Sequence, residues 1–211
     1  MYISQHFIYK SLPFLLCFSI SNLLFGQDNQ GDSLKAVLRA TIEDTSKLTV
    51  LNKLFYHYMD KDLDQSLTYA YQFLTTAQSH PEEKYTCWGY HHLGNVHRKM
   101  NSDLDTIFNF FDKALTCCED LEDADCKGNV LTSMANVYNR NGAYTKAISS
   151  YQEALEIAKE NKDTMGMIPC LANMAGVYKR RYEYEKSLDF YQQALNYSKE
   201  KELTSYIGKI T

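Results

Sequence analysis

The strongest constraint in this sequence is that it repeats itself. Slid by 40 positions without a gap, residues 128–167 match residues 168–207 at 15 of 40 positions. The identities include Leu131/Leu171, Met134/Met174, Ala135/Ala175, Val137/Val177, Tyr138/Tyr178, Tyr144/Tyr184, Tyr151/Tyr191, Ala154/Ala194 and Leu155/Leu195. An upstream copy runs from Leu93, Gly94, Val96 and His97 to Phe111, Ala114 and Leu115, with one additional residue in the turn near Asn101. A more diverged copy pairs Ser66, Leu67, Ala70, Phe73 and Leu74 with Ser187, Leu188, Tyr191, Ala194 and Leu195. A fixed period of this size means one supersecondary unit used several times, each copy unable to bury its apolar face alone.

Inside a unit the spacing is helical. Leu131, Met134, Ala135 and Tyr138 fall at i, i+3, i+4 and i+7, and Ala147, Ile148, Tyr151, Ala154 and Leu155 form a second stripe. Asn139 to Ala143, with Gly142, turns the chain between them. The unit is therefore a helical hairpin. Small residues where the stripes meet (Ala135 with Ala154, Ala175 with Ala194, Gly94 with Ala114) allow close approach, and Tyr and Phe fill the gap to the next hairpin. With 17 Tyr against 9 Gly and 3 Pro, the chain has few breakers, which suits long helices and not a many-turned β fold.

With Tyr138 as the eleventh residue of a unit, Leu131, Met134, Ala135, Tyr138, Ala147, Tyr151 and Ala154 occupy the W, L, G, Y, A, F and A places of the tetratricopeptide (TPR) pattern. The sequence resembles a TPR protein of the long, roughly 40-residue kind. The resemblance implies an all-α fold, an α-solenoid of antiparallel helix hairpins wound into a right-handed superhelix. It departs at Ser187, at His97 and at Ile107, which puts the first clear turn in doubt, and at Lys159 and Lys199, which replace the usual closing Pro and imply longer second helices. Expected helices are Asp32–Ala40, Thr45–Tyr58, Asp62–Gln78, Glu82–Met100, Asp103–Glu119, Asp123–Arg140, Tyr144–Asn161, Asp163–Arg180 and Tyr182–Glu200, with Pro81 and Pro169 each in a first turn. Units are expected at 45–80, 82–122, 123–162 and 163–202, preceded by an extension at 27–44. Residues 203–211 begin a further unit without a polar cap, so a longer gene product is expected.

Residues 1–26 carry Lys10 as their only formal charge, and Ser11 to Phe25 are uncharged and mostly apolar. This reads as an export signal cleaved after Gly26 or Ser21. The run is shorter than the roughly 20 residues of a spanning helix, so a membrane anchor is the lesser reading. Leu16 before Cys17 argues against lipid attachment there. Export would place the protein in the periplasm, membrane-anchored only if the leader stays or the full-length protein continues past Thr211. Net charge is −4, or −5 without Lys10, which gives no basic field for nucleic acid. Past the leader, Cys87, Cys117, Cys118, Cys126 and Cys170 match no disulfide framework or zinc spacing and are read mostly as apolar fillers. A Cys118–Cys126 bridge is the alternative in an exported protein.

First helices of TPR units line the concave surface, so the resemblance points to the stripe opposite the packing stripe as a peptide groove. Candidate residues are Trp88, His91, Asn95, Arg98 and Lys99; then Asn129, Thr132, Asn136, Asn139 and Arg140; then Asn173, Lys179 and Arg180. Asn amides can pair with a peptide backbone and Arg or Lys with carboxylates. The plainer reading is that the cations complement helix C-termini. His91, His92 and His97 are read as structural, because His92 and His97 face different sides. No catalytic residue, metal site or cofactor is expected: the chain has no glycine-rich phosphate loop, GxSxG, HExxH or CxxC. Two functions remain: a non-enzymatic scaffold that binds a peptide or protein, or the sensory part of a histidine kinase or LuxR-type regulator whose effector lies beyond residue 211.

Overall fold

The computed structural model describes residues 28–200. The leader with its cleavage points and the partial unit at 203–211 lie outside the described residues. Among the described residues there are nine helices and no strand: α1 (Asn29–Ala40), α2 (Asp44–Tyr58), α3 (Leu63–Gln78), α4 (Lys84–Lys99), α5 (Leu104–Asp120), α6 (Ala124–Arg140), α7 (Tyr144–Glu160), α8 (Thr164–Arg180) and α9 (Tyr184–Glu200). Each packs mainly on its sequence neighbours, and the first helices α4, α6 and α8 also touch across units. The chain is an all-α solenoid of antiparallel hairpins.

Helix starts follow from carboxylates that satisfy otherwise unpaired N–H groups. Asp28, Asp62, Asp103 and Asp123 accept from the backbone N–H of Gly31, Gln65, Thr106 and Cys126 at 3.3, 3.0, 2.8 and 2.9 Å. Helix ends share one geometry from α4 onward. Asn101, Glu122, Gly142, Lys162 and Tyr182 all have positive φ, between 51° and 76°. Each is followed by the paired bonds of a Schellman turn, as where Ala143 N–H donates to Tyr138 O (2.9 Å) and Gly142 N–H to Asn139 O (3.2 Å). Turns within a unit and turns between units are therefore alike, and the chain advances by one helix every 20 residues or so.

Several expectations are corrected. Tyr182 does not start a helix, because its left-handed backbone closes the turn before α9. Pro81 precedes α4, and Pro169 sits in the second turn of α8, where its ring removes the bond to the carbonyl of exposed Met165. The turn around Asn101 is not distorted: Ile107 is fully buried and His97 stacks on Phe110 at 5.1 Å, as Tyr178 does on Phe190. Tyr184 is 60% exposed, so its recurrence is no packing mark.

The core is a row of linked clusters and not a single centre. One joins α2, α3 and α4 around Leu51, Leu54, Phe55 and Phe73; the next joins α4, α5 and α6 around Ile107, Phe111 and Val130; the last runs from α6 to α9 around Tyr151, Leu171 and Met174. Close helix approach depends on small residues here. A Cβ on Gly94 would lie 2.5 Å from the Phe111 ring, and one on Gly89 would lie 3.0 Å from the Leu74 Cα. At the front, α1 docks through Asp28, whose carboxylate lies 2.6 Å from His57 Nε2 and 3.2 Å from Lys61 Nζ. His57 holds the Asp28 carboxyl well below the usual carboxylate range.

Candidate functional site

The candidate residues fall on α4, α6 and α8, whose mutual contacts make them the successive rungs of one face. Their C-terminal ends carry the cations, and one cation of each helix, Lys99, Arg140 and Arg180, reaches back to the preceding unit. Lys99 Nζ donates to Met59 O at 3.2 Å and pairs with Asp60. Arg140 Nη1 donates to Arg98 O at 2.7 Å and to Asn101 Oδ1 at 3.0 Å, and Arg180 Nη1 donates to Asn139 O at 3.4 Å. The recurring cation thus satisfies terminal carbonyls of the previous first helix, where no intrahelical donor is left. This contact couples neighbouring units, which capping within a helix would not do.

A polar seam lies just inside those ends. Tyr151, from the second helix α7, donates its hydroxyl to Asn136 Oδ1 at 2.6 Å, and Asn173 Nδ2 approaches the same oxygen at 3.4 Å. Burial pushes the Tyr151 hydroxyl up, so it stays a donor. Arg98 Nη2 donates to Asn95 Oδ1 at 3.4 Å. Thr132 donates back to Gly128 O at 2.9 Å and lies 3.5 Å from the Cys170 thiol, while Asn129 donates to Asp125 O at 2.7 Å. Trp88 is half-buried, edge-on to His91 at 5.6 Å.

His91 is a correction. It is 5% exposed and lies between α4 and α6, where its Nε2 is 2.9 Å from the Asn95 amide nitrogen and 2.8 Å from Ser133 Oγ. It therefore packs the seam instead of lining a groove. Desolvation, reinforced by the Arg98 charge, lowers its pKa to about 4, which keeps the ring neutral. Ser133 and the Tyr151 hydroxyl belong to the site but were not among the expected residues. Ser133 lies on the packing stripe, and Tyr151 is legible only as an aromatic of the core.

Electrostatically the face is one-sided. Among the described residues no carboxylate lies within 4.0 Å of a side-chain nitrogen of Arg98, Arg140, Lys179 or Arg180. Burial and the nearby Arg140 lower the Arg98 pKa. Arg98 Nε and Asn139 Oδ1 are buried without a hydrogen-bond partner, one a donor and the other an acceptor. The remaining guanidinium and ammonium groups of these helix ends are donors that can pair with carboxylates.

The reading of the cysteines as fillers is overturned for four of the five. Cys118 is joined to Cys126, the alternative pairing, and Cys87 is joined to Cys117, which no spacing signalled. Helix packing brings the start of α4 and the end of α5 together, so residues 30 apart can bond. Cys170 is free and buried.

A family model described as tetratricopeptide repeat matches residues 126–200. A comparison with curated protein sequences gives no match. Among solved structures, the chain is similar to a Rap protein complexed with Competence and Sporulation Factor, with 17% identity and a TM-score of 0.77 over 93% of this chain and 55% of that one. It is similar to NprR in complex with its cognate peptide NprX, with 19% identity and a TM-score of 0.61 over 87% of this chain and 52% of that one. A signal transduction ATPase with numerous domains from Pyrococcus horikoshii, which carries a tetratricopeptide repeat sensor, shares 18% identity and a TM-score of 0.68 over 93% of this chain and 30% of that one. The chain thus spans between 30% and 55% of these structures, and at such identities the likeness is one of fold. Helix order and the single recurring turn give the described chain a tetratricopeptide-like α-solenoid fold, and the tetratricopeptide repeat family model covers residues 126–200 of it.

Proposed function

We propose that the array is an exported, non-enzymatic scaffold whose inner face receives an extended peptide, or a protein segment, bearing carboxylates. The observation that carries this reading is the set of four cations Arg98, Arg140, Lys179 and Arg180, none of which has a carboxylate within 4.0 Å among the described residues, whereas Lys99 is already paired with Asp60. Arg140 and Arg180 each commit one guanidinium nitrogen to a neighbouring carbonyl, which leaves the rest of the planar fork for a ligand. Two of the similar structures are complexes with Competence and Sporulation Factor and with the peptide NprX, which supports the same class of ligand. The apolar, Lys10-bearing leader supports export.

Selection of random peptides on the immobilised protein tests this. Enriched peptides are expected to carry Asp, Glu or a free C-terminal carboxylate and to bind more weakly as salt rises. Lys179→Gln with Arg180→Gln should weaken them by about tenfold with the helical circular dichroism unchanged. Enriched peptides without carboxylates, or an affinity indifferent to both changes, would contradict the proposal.

A second reading makes the array the input part of a signal-transduction protein. The likeness to a signal transduction ATPase with a tetratricopeptide repeat sensor favours it. Codons downstream of Thr211 that encode an apolar span and then a kinase or helix-turn-helix segment would support it, and a polar capping helix with a stop codon would sink it.

A further inference from the structure

Four cysteines gather at one end of the stack. Cys87 lies in the first turn of α4, Cys117 and Cys118 in the last turn of α5, and Cys126 in the first turn of α6. They form two bridges, Cys87–Cys117 and Cys118–Cys126. The Sγ atoms of Cys87, Cys118 and Cys126 all lie within 4.8 Å of one another, so a sulfur of the first bridge adjoins both sulfurs of the second. Those three are buried, but Cys117 is half-buried and lines an open cleft of about 460 Å³ together with Glu83, Tyr90, Lys113 and Asp120. The first bridge therefore has one half-buried cysteine on the cleft and one sulfur within 4.8 Å of both sulfurs of the second bridge. None of the groove residues of α6 or α8 lines this cleft.

We propose that this cluster is a thiol–disulfide relay that accepts electrons from an external dithiol. One thiolate of the dithiol attacks Cys117 Sγ from the cleft, the Cys87–Cys117 bond breaks, and Cys87 leaves as a thiolate. The second thiol of the reductant loses its proton and attacks its own sulfur in the mixed disulfide. The reductant departs as an intramolecular disulfide and Cys117 takes up a proton. The Cys87 thiolate then attacks Cys118 Sγ, forms a Cys87–Cys118 bond and expels Cys126, which takes up the second proton. One dithiol is oxidised, one protein disulfide is reduced, and the surviving disulfide has moved. Access and leaving-group chemistry both order these steps. The thiolates on Cys87 and Cys126 form at the N–H-rich starts of α4 and α6, where negative charge is stabilised, whereas Cys118 stands at the carbonyl end of α5.

The test treats the oxidised protein with one equivalent of dithiothreitol without denaturant, traps thiols with N-ethylmaleimide and maps the peptides by mass spectrometry. The relay predicts label on Cys117 with Cys87 still in a disulfide, joined to Cys118 and leaving label on Cys126; Cys87 joined to Cys126 supports it equally. Label on Cys87 and Cys117 with Cys118–Cys126 intact would overturn it, and so would label confined to Cys118 and Cys126, or no label until the protein is denatured. A second arm needs no reductant. In Cys117→Ser the one thiol left in the cluster should appear on Cys118 or Cys126 as well as on Cys87. A thiol confined to Cys87 would overturn the relay. After full reduction, tight uptake of one zinc with no mixed pairing in either arm would assign the cluster to metal binding instead.

Discussion

His92 offers a sharp test of how the front of the array is packed. Its ring is 2% exposed, stacked on Phe55 at 4.2 Å and set edge-on to Phe73 at 4.9 Å, and neither ring nitrogen has a hydrogen-bond partner. Desolvation, with a smaller contribution from neighbouring His91, lowers its pKa from 6.5 to about 3. The unfolded chain therefore takes up a proton below pH 6.5 that the folded chain refuses, so stability is complete above that value and falls as pH drops. At pH 5, about 1.5 units below the unfolded pKa, the loss from this one group is about 2 kcal/mol. His91, with a folded pKa of about 4, adds a loss of the same order. His92→Phe keeps the flat, stacked shape and removes two unpaired polar atoms, each of which costs on the order of 1–3 kcal/mol when buried, against some overpacking by the larger ring. Urea denaturation followed by circular dichroism at pH 7.5 and pH 5 reads both effects. The variant should be at least as stable as the parent at the higher pH and should lose about 2 kcal/mol less on acidification. An equal acid loss in variant and parent would show that His92 is not held neutral by burial.

Two further substitutions probe the turns and the helix contacts. Glu122→Gly and Lys162→Gly each relieve a left-handed non-glycine residue and should stabilise by about 0.5–1 kcal/mol in thermal melts, whereas Gly142→Ala should cost about 1 kcal/mol. No gain at either site would mean the turns do not demand that backbone. Ala154→Arg forces a charge into a helix contact that is 2% exposed and should abolish the cooperative melt, so a midpoint equal to the parent's would refute the hairpin register.

The period and the helical stripes were legible because both are properties of one unit: Leu131 to Tyr138 and Ala147 to Leu155 carry them without reference to a neighbour. What depends on two units was not. His91 stands on the face expected to be open, yet it is covered because Ser133 of the next first helix hydrogen-bonds to it. Arg140 and Arg180 read as caps of their own helices, but the carbonyls they meet belong to the previous unit. Among the turns, Gly142 announced itself, while Glu122, Lys162 and Tyr182 take the same conformation with residues that carry no such mark. Cys87 and Cys117 were unreadable as a pair, since only the packing of α4 against α5 brings them together.

The central claim is that the cation-bearing ends of α4, α6 and α8 receive a peptide. Hydrogen–deuterium exchange of the protein with and without a saturating acidic peptide from the selection tests it most directly. Protection is expected in Asn95–Lys99, Asn136–Arg140 and Asn173–Arg180. Protection confined to the cleft around Tyr90, Lys113 and Cys117, with those three segments unchanged, would contradict it.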